Sequence, residues 1–445
     1  MPTALQRLIA AAATTVAFAA AGAAPAHAAP DPLLAEQWAL SDARAIGAPE
    51  AWTQSHGDGA VVAVLDSGVQ VDHPDLAANL WTNPGEVPGN GKDDDANGYV
   101  DDVYGANMFS NDGSVSDDEG HGTHVAGIVA ARAGNGAGGS GLAPNARIMA
   151  VKVLDSTRSG NSSLLARGIR YAVDEGAQIL NVSINGDATS ADLTAALRYA
   201  GDKGATVVAS AGNNSRNLDL LPSYPASSAE RSVLSVTASD EAGSLLAFAN
   251  RGPSSVDLAA PGEAILSTAR RSGYESRSGT SMAAPYVAGA LALLSAARPD
   301  LPQAALRSAL LASAPTRSGL AGQLGAGGLD VGAAMHAVLP GDMWRATAAA
   351  ADTTASAKLR LRSSGRIRAG RRATLRWSAT GADSVTRWRV LLDGRRVASR
   401  AAGDSRVVRR RIASAGSHRW KVVGYDAAGE RVVAATRGLR VLRRG

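Results

Sequence analysis

The chain contains no cysteine. This single absence removes disulfides, thiol nucleophiles and cysteine-ligated zinc, though it leaves export open, because a large domain can be stable without disulfides. No HExxH run is present, which excludes the usual helical zinc-hydrolase pattern. No GxSxG elbow is present, which weighs against an α/β-hydrolase esterase. No RNA-binding signature is visible, and beyond the N-terminal segment no stretch reads as membrane-spanning.

What remains is a chain of 445 residues, 45% hydrophobic and 19% charged, an ordinary globular composition long enough for two domains. The net charge of +5 conceals an asymmetry. Residues 341–445 hold 23 Arg and 2 Lys against 7 acids, or +18, which leaves 20 bases and 33 acids, or −13, for residues 1–340. Halves of opposite sign predict two domains with different tasks.

The first 28 residues read as a secretory signal: Arg7, an alanine-rich apolar run from Leu8 to Ala24, then the small-x-small pattern Ala26-His27-Ala28. The alternative, an uncleaved anchor helix, would be short and alanine-dominated. The expected mature protein is secreted, soluble, free of a transmembrane anchor and monomeric. Residues 29–339 alternate strand-like and helical segments, the pattern of a doubly wound, mostly parallel α/β sheet. Val61–Leu65, Arg147–Leu154, Ile179–Ser183, Thr206–Ser210 and Val233–Ala238 are the predicted strands, with helices at Leu164–Glu175 and Ala191–Lys203. Residues 340–357 read as a linker of small and polar residues. Residues 358–445 show about seven short strands and an Asp393-Gly394 hairpin signal, which predict a small immunoglobulin-like β-sandwich.

Three segments carry chemistry: Val64-Leu65-Asp66-Ser67-Gly68, Gly120-His121-Gly122-Thr123-His124, and Ser278-Gly279-Thr280-Ser281-Met282-Ala283-Ala284-Pro285. A serine hydroxyl is a weak nucleophile near neutral pH and needs an imidazole to take its proton. A carboxylate on the other ring nitrogen holds that imidazole in the required tautomer. Asp66, His121 and Ser281 supply these parts in the order Asp, His, Ser. Small residues around Ser281 allow a tight entry into a helix starting near Thr280, whose amide terminus would face a developing oxyanion. Pro285 is expected in the early turns of that helix, where a missing donor matters little. His124 lies three residues after His121; half of a metal site is one reading, but no third ligand appears, and packing against the catalytic helix is the other.

On these motifs the chain resembles the subtilisin-like serine proteases, closest to their thermitase-like secreted branch, over residues 31–338. The resemblance implies serine endopeptidase activity with a broad, apolar-leaning P1 preference and no catalytic cofactor. It implies that Asn213, in Ala209-Ser210-Ala211-Gly212-Asn213, is the oxyanion-hole asparagine. It places Ser183, Ile184, Asn185, Ala211 and Gly212 along the substrate channel and the P1 pocket. Arg158, Ser159 and Gly160 would form an edge strand pairing with extended substrate. Asn185 departs from the small residue, often glycine, common there. Tyr224-Pro225 matches a cis-proline turn. A prodomain of family length does not fit between the signal and Asp31, so folding is expected to proceed unaided, with calcium, or with help from the C-terminal domain.

Asp93, Asp95, Asn97 and Asp101 alternate oxygen donors before a glycine turn, as a calcium loop does. Tyr104 stands where an EF-hand would place its closing Glu, so a subtilase-type structural Ca2+ loop is expected, with a solvated acidic turn as the alternative. Asp31 and Asp75 match a second family calcium site, completed by carbonyls of the loop 132–139. The arginine-rich domain is expected either to bind a polyanion or cell-surface ligand, to dock on the acidic half or on protein substrate, or to present only a solvated basic surface. Trp377, Trp388 and Trp420 read as its core. A rival reading of the whole is an inactive protease fold acting as an adhesin.

Overall fold

The computed structural model describes residues 31–339 and, beyond them, 358–363, 367–380, 385–392, 395–401, 406–425 and 431–442. The expected signal segment, the expected linker and the expected Asp393-Gly394 turn lie outside the described residues.

Residues 31–339 are built on a six-stranded sheet in the order β2-β1-β3-β4-β5-β6, with every neighbouring pair parallel. The strands are β1 (Val61–Asp66), β2 (Arg147–Lys152), β3 (Ile179–Val182), β4 (Thr206–Ser210), β5 (Val233–Ser239) and β6 (Leu258–Pro261). Their unbroken apolar runs follow from burial on both faces. In β1, Val62 and Val64 enter one core while Ala63 and Leu65 enter the other.

Among the described residues the eight α-helices are α1 (Trp38–Ser41), α2 (Ala48–Ala51), α3 (His121–Ala130), α4 (Ser162–Asp174), α5 (Ala191–Asp202), α6 (Thr280–Ala297), α7 (Gln303–Ala312) and α8 (Val331–Val338). Leu165 and Ile169 of α4 and Leu193 and Leu197 of α5 fill one core; Val125 and Ile128 of α3 and Val287 and Leu291 of α6 fill the other. Both α4 and α5 are started by side-chain caps, Asn161 on the amides of Ser163 and Leu164 and Ser190 on that of Leu193. α6 corrects one expectation from the sequence. It is 18 residues long and apolar enough to cross a membrane, yet 78% of it is buried as the central core helix. A hairpin of β7 (Ile265–Ala269) and β8 (Gly273–Arg277) lies against α3, where the Ser267 and Thr268 hydroxyls donate to the His124 and Thr123 carbonyls.

Among the described residues the C-terminal segment forms eight strands, where about seven were expected: β9 (Lys358–Ser363), β10 (Ile367–Arg368), β11 (Arg372–Thr380), β12 (Arg387–Leu392), β13 (Arg395–Ala401), β14 (Val407–Arg411), β15 (Gly416–Tyr425) and β16 (Arg431–Leu442). They make a five-stranded sheet, β10-β16-β15-β12-β13, and a three-stranded sheet, β14-β11-β9. Leu361, Leu375, Trp377 and Val408 of the smaller sheet share one core with Trp388, Val390, Trp420 and Val422 of the larger. The expected tryptophan core is thus present between two sheets.

Candidate active site

The carboxyl ends of adjacent parallel strands bring the chemical segments together, as an open α/β sheet does. β1 ends on Asp66, the loops after β3 and β4 carry Ser183–Asn185 and Ala211–Asn213, and α3 and α6 begin at His121 and next to Ser281. Asp66 is fully buried, and its two oxygens accept from His121 Nδ1 at 2.8 and 2.9 Å. The Ser67 amide adds a third bond to Asp66, at 2.8 Å. With Nδ1 committed to Asp66, the Nε2 edge of the imidazole is left for a proton-transfer partner.

The approach of α3 to β1 depends on glycine. A Cβ at Gly122 would lie 2.1 Å from the Gly68 carbonyl and 3.1 Å from the Asp66 Cβ. Asp117, which the sequence reading did not single out, fastens the start of α3. Its carboxylate accepts from the Ser67 hydroxyl, the amides of Glu119, Gly120 and Thr123, and the Thr123 hydroxyl, at 2.6–3.0 Å. Burial alone would raise the Asp117 pKa, but the bonds from Thr123, Gly120 and Ser67 outweigh it and hold it low. The available signal was an acid three residues before a glycine at a helix start.

Ser281 is the second residue of α6, after Gly279 at φ +153°. Its amide lies in the first helical turn and has no intrahelical acceptor. The Asn213 side chain is oriented by its own oxygen, which accepts the Thr280 amide at 2.9 Å, so its Nδ2 donor is available on an exposed loop. Asn250, also missed by the sequence reading, braces that loop. It is fully buried, donates to the Ala211 carbonyl at 2.8 Å, and accepts the amides of Asn214 and Arg216.

Pro285 is a correction: it lies inside α6, beyond the first turn. Its missing amide would have bonded the carbonyl four residues earlier, that of Ser281. The Ser183 hydroxyl donates to that carbonyl instead, at 2.9 Å, and is itself held by Asn181 Nδ2 at 2.9 Å. The Ser281 hydroxyl donates to the Ser183 carbonyl at 3.1 Å, and among the described residues it makes no hydrogen bond to His121.

Ser183, Ile184 and Asn185 face Ala211 and Gly212 across the ends of β3 and β4. A Cβ on Gly212 would lie 2.0 Å from Asn185 Nδ2, so the Asn185 amide rests directly on Gly212. Arg158, Ser159 and Gly160 do not form the edge strand expected of them. They close a turn in which the Asp155 carboxylate caps the Thr157 and Ser159 amides, with Arg158 at φ +60°. The Arg158 guanidinium pairs with Glu119 at 2.8 Å, and Glu119 in turn accepts the His121 amide at 2.7 Å. His124 is buried with Nε2 on the Glu275 carbonyl at 3.1 Å, a packing role. Tyr224-Pro225 is cis.

The acidic segment regroups the predicted ligands. Asp95 joins Glu86 and Asp102, with one donor oxygen from each lying within 4.8 Å of the others. Asn97 spans the group, donating to Asp95, Asp102 and Glu175 at 3.0–3.2 Å. Asp93 and Asp101 are turned away, onto the amides of Asn97 and Gly98 and of Asn90 and Gly91, because the tight loop needs those acceptors. Glu86 Oε2 is buried and accepts no hydrogen bond among the described residues, and burial together with Asp102 and Asp95 raises the Glu86 pKa. Asp31 accepts the Gly134 and Asn135 amides at 2.8 and 3.2 Å, and Asn135 Nδ2 links it to Asp75 at 2.7 Å. Asp75 Oδ2 is buried beside Tyr274 and accepts no hydrogen bond of ordinary geometry.

Residues 57–328 match the model of the subtilase family, peptidase S8. Thermitase of Thermoactinomyces vulgaris is 41% identical over 249 residues, covering 56% of this chain and 79% of that protein. The halolysin-like extracellular serine protease Nep of Natrialba magadii is 36% identical over 63% of this chain, which spans about half of it, 48%. Among solved structures, a protease of Pseudoalteromonas arctica PAMC 21717 superposes with a TM-score of 0.59 at 29% identity, covering 70% of this chain and all of that one. The chain belongs to the subtilase family of serine proteases, which hydrolyse peptide bonds.

Proposed function

We propose that the chain is an exported endopeptidase that cleaves internal peptide bonds through an acyl-enzyme on Ser281. The observation that carries this is the buried Asp66 carboxylate on His121 Nδ1, together with Ser281 at a helix N-terminus and Asn213 anchored through its oxygen. The Ser281 hydroxyl turns from the Ser183 carbonyl to His121 Nε2, gives up its proton there, and attacks the scissile carbonyl. Asn213 Nδ2 and the Ser281 amide hold the oxyanion, and His121 returns the proton to the leaving amine. Water, activated by the same imidazole, then releases the acyl group. The channel formed by Ser183, Ile184, Ala211 and Gly212 suits a broad, apolar-leaning P1 side chain, with Asn185 at one wall. The adhesin alternative draws no support from a site in which every required group is present.

The test is a fluorophosphonate serine probe on the signal-less protein. Labelling of the native chain but not of Ser281→Ala, with peptide cleavage in parallel, is the expected result. No labelling of a folded native chain would reject the reading. Asn213→Ala is expected to lower kcat by about 10²–10³, a scale taken from subtilisin itself rather than from this structure.

The two acidic groups are assigned to structural calcium. Glu86, Asp95 and Asp102 present hard oxygens, and the unpartnered Glu86 Oε2 and Asp75 Oδ2 fit a cation better than a closed hydrogen-bond network. The triad chemistry requires no metal. The domain division at 29–339 and 358–445, joined by 340–357 after a cleaved signal of residues 1–28, belongs to the same proposal.

A further inference from the structure

The three-stranded sheet of the C-terminal segment has one face in the core and one face in solvent. Ala373, Leu375 and Trp377 of β11, Leu361 of β9 and Val408 of β14 point inward and are buried. Strand alternation then puts Arg360, Arg362, Arg372, Arg376, Arg409 and Arg411 together on the other face, and all six are exposed. The pairing brings like charges directly opposite one another: Arg372 faces Arg411, and Arg376 faces Arg362. Such pairs disfavour the sheet unless something compensates their charge. No described residue beyond 357 is acidic. The segment's five acids, Asp383, Asp393, Asp404, Asp426 and Glu430, fall between strands in sequence and lie outside the described residues.

We infer that this face is a docking surface for a linear acidic polysaccharide. Guanidinium groups pair well with carboxylate and sulfate, two N–H donors to two oxygens. Strands about 4.8 Å apart, with alternate residues about 7 Å along each, set the arginines in a grid that a flexible chain of regularly spaced anions can follow. Two other anionic partners fit less well. Single-stranded nucleic acid is usually held by bases stacked on aromatic rings, and Trp377, Trp388 and Trp420 are all in the core. A bilayer surface is gripped by several apolar side chains among the basic ones, whereas the outward positions of this sheet between the arginines are Thr374, Ser378 and a single half-buried valine, Val407.

The experiment uses the full chain carrying Ser281→Ala, to prevent self-digestion, with heparin as the probe at about 0.1 M salt. Arg362→Ser/Arg376→Ser removes one opposed pair and is expected to weaken heparin binding at least about tenfold. Arg368→Ser/Arg440→Ser removes the same charge from the five-stranded sheet and is expected to change it by less than about threefold. The first variant should melt no lower than its parent, since a repulsive pair has gone. Equal losses in the two variants would reduce the effect to general charge and overturn the inference. So would failure to bind heparin, or tighter binding to oligo(dT) or to phosphatidylglycerol vesicles. None of these readouts depends on peptide cleavage.

Discussion

The buried carboxylates of the subtilase domain fall into two kinds, which are treated differently. At the catalytic centre every oxygen of Asp66 and Asp117 accepts a hydrogen bond from the protein. Among the described residues one oxygen of Glu86, in the acidic segment, accepts none, and at the Asp31–Asp75 pair Asp75 Oδ2 has only the Tyr274 hydroxyl beside it, outside ordinary hydrogen-bond geometry. The pKa directions follow: donors from Thr123, Gly120 and Ser67 overcome burial and hold Asp117 low, whereas burial and like charges push Glu86 up. A buried charge that the chain satisfies itself belongs to preorganised machinery. One that it leaves unsatisfied marks a place where something else supplies the charge.

The largest effect expected from breaking this comparison is at the centre. Ser281→Ala should lower kcat by roughly 10⁶, the scale known for a triad serine, with the melting temperature unchanged. Residual hydrolysis within about a hundredfold of the native rate would reject the triad assignment. Asp117 tests the satisfied side more directly. In the Ser281→Ala background, Asp117→Ala should destabilise the chain by about 3–5 kcal/mol in urea unfolding, since three backbone amides lose a buried acceptor. A loss under about 1 kcal/mol would mean that the start of α3 holds without it.

His124 sharpens the same side through pH. Burial, with Arg277 and His121 adding to it and the Glu275 carbonyl and carboxylate opposing it, lowers its pKa from 6.5 to about 4. The folded state thus binds fewer protons than the unfolded state between those values. Stability is level above pH 6.5 and falls as pH drops toward 4, by about 3 kcal/mol in all. His124→Gln keeps a donor for the Glu275 carbonyl and removes the titration. Its unfolding free energy should fall less over that window than its parent's, and parallel curves would contradict the assignment.

The sequence made the strands and the triad legible for a physical reason. A parallel strand buried on both faces must be an apolar run, and residues at its carboxyl end stand out against that run, as Asp66 does after Val61–Leu65. The sequence gives no such mark for partners that meet only through the fold. Asn250 braces the Asn213 loop from 37 residues further on, and Ser183 replaces the donor that Pro285 lacks across 98 residues. Alternating oxygen donors at Asp93, Asp95, Asn97 and Asp101 pointed to a calcium loop in this acidic turn. They did not reveal which carboxylates face inward, because the turn's own amides claim Asp93 and Asp101 and leave Glu86 and Asp102 to meet Asp95.

The smallest expected effect separates the two kinds of carboxylate by sign. With calcium at about a hundred times its dissociation constant, a bound ion stabilises the fold by about 2.7 kcal/mol. Chelation should therefore lower the melting temperature of the native chain. Glu86→Gln keeps the side chain's size and its acceptor for the Asp94 amide, but removes one of three mutually repelling charges. Without calcium that variant should melt at or above the native chain; with calcium it should melt below, because the ion has lost a ligand. Destabilisation of equal size under both conditions would show that Glu86 acts only as a packed acceptor. The acidic segment would then be a satisfied turn like that of Asp117, and the contrast between the two regions would disappear.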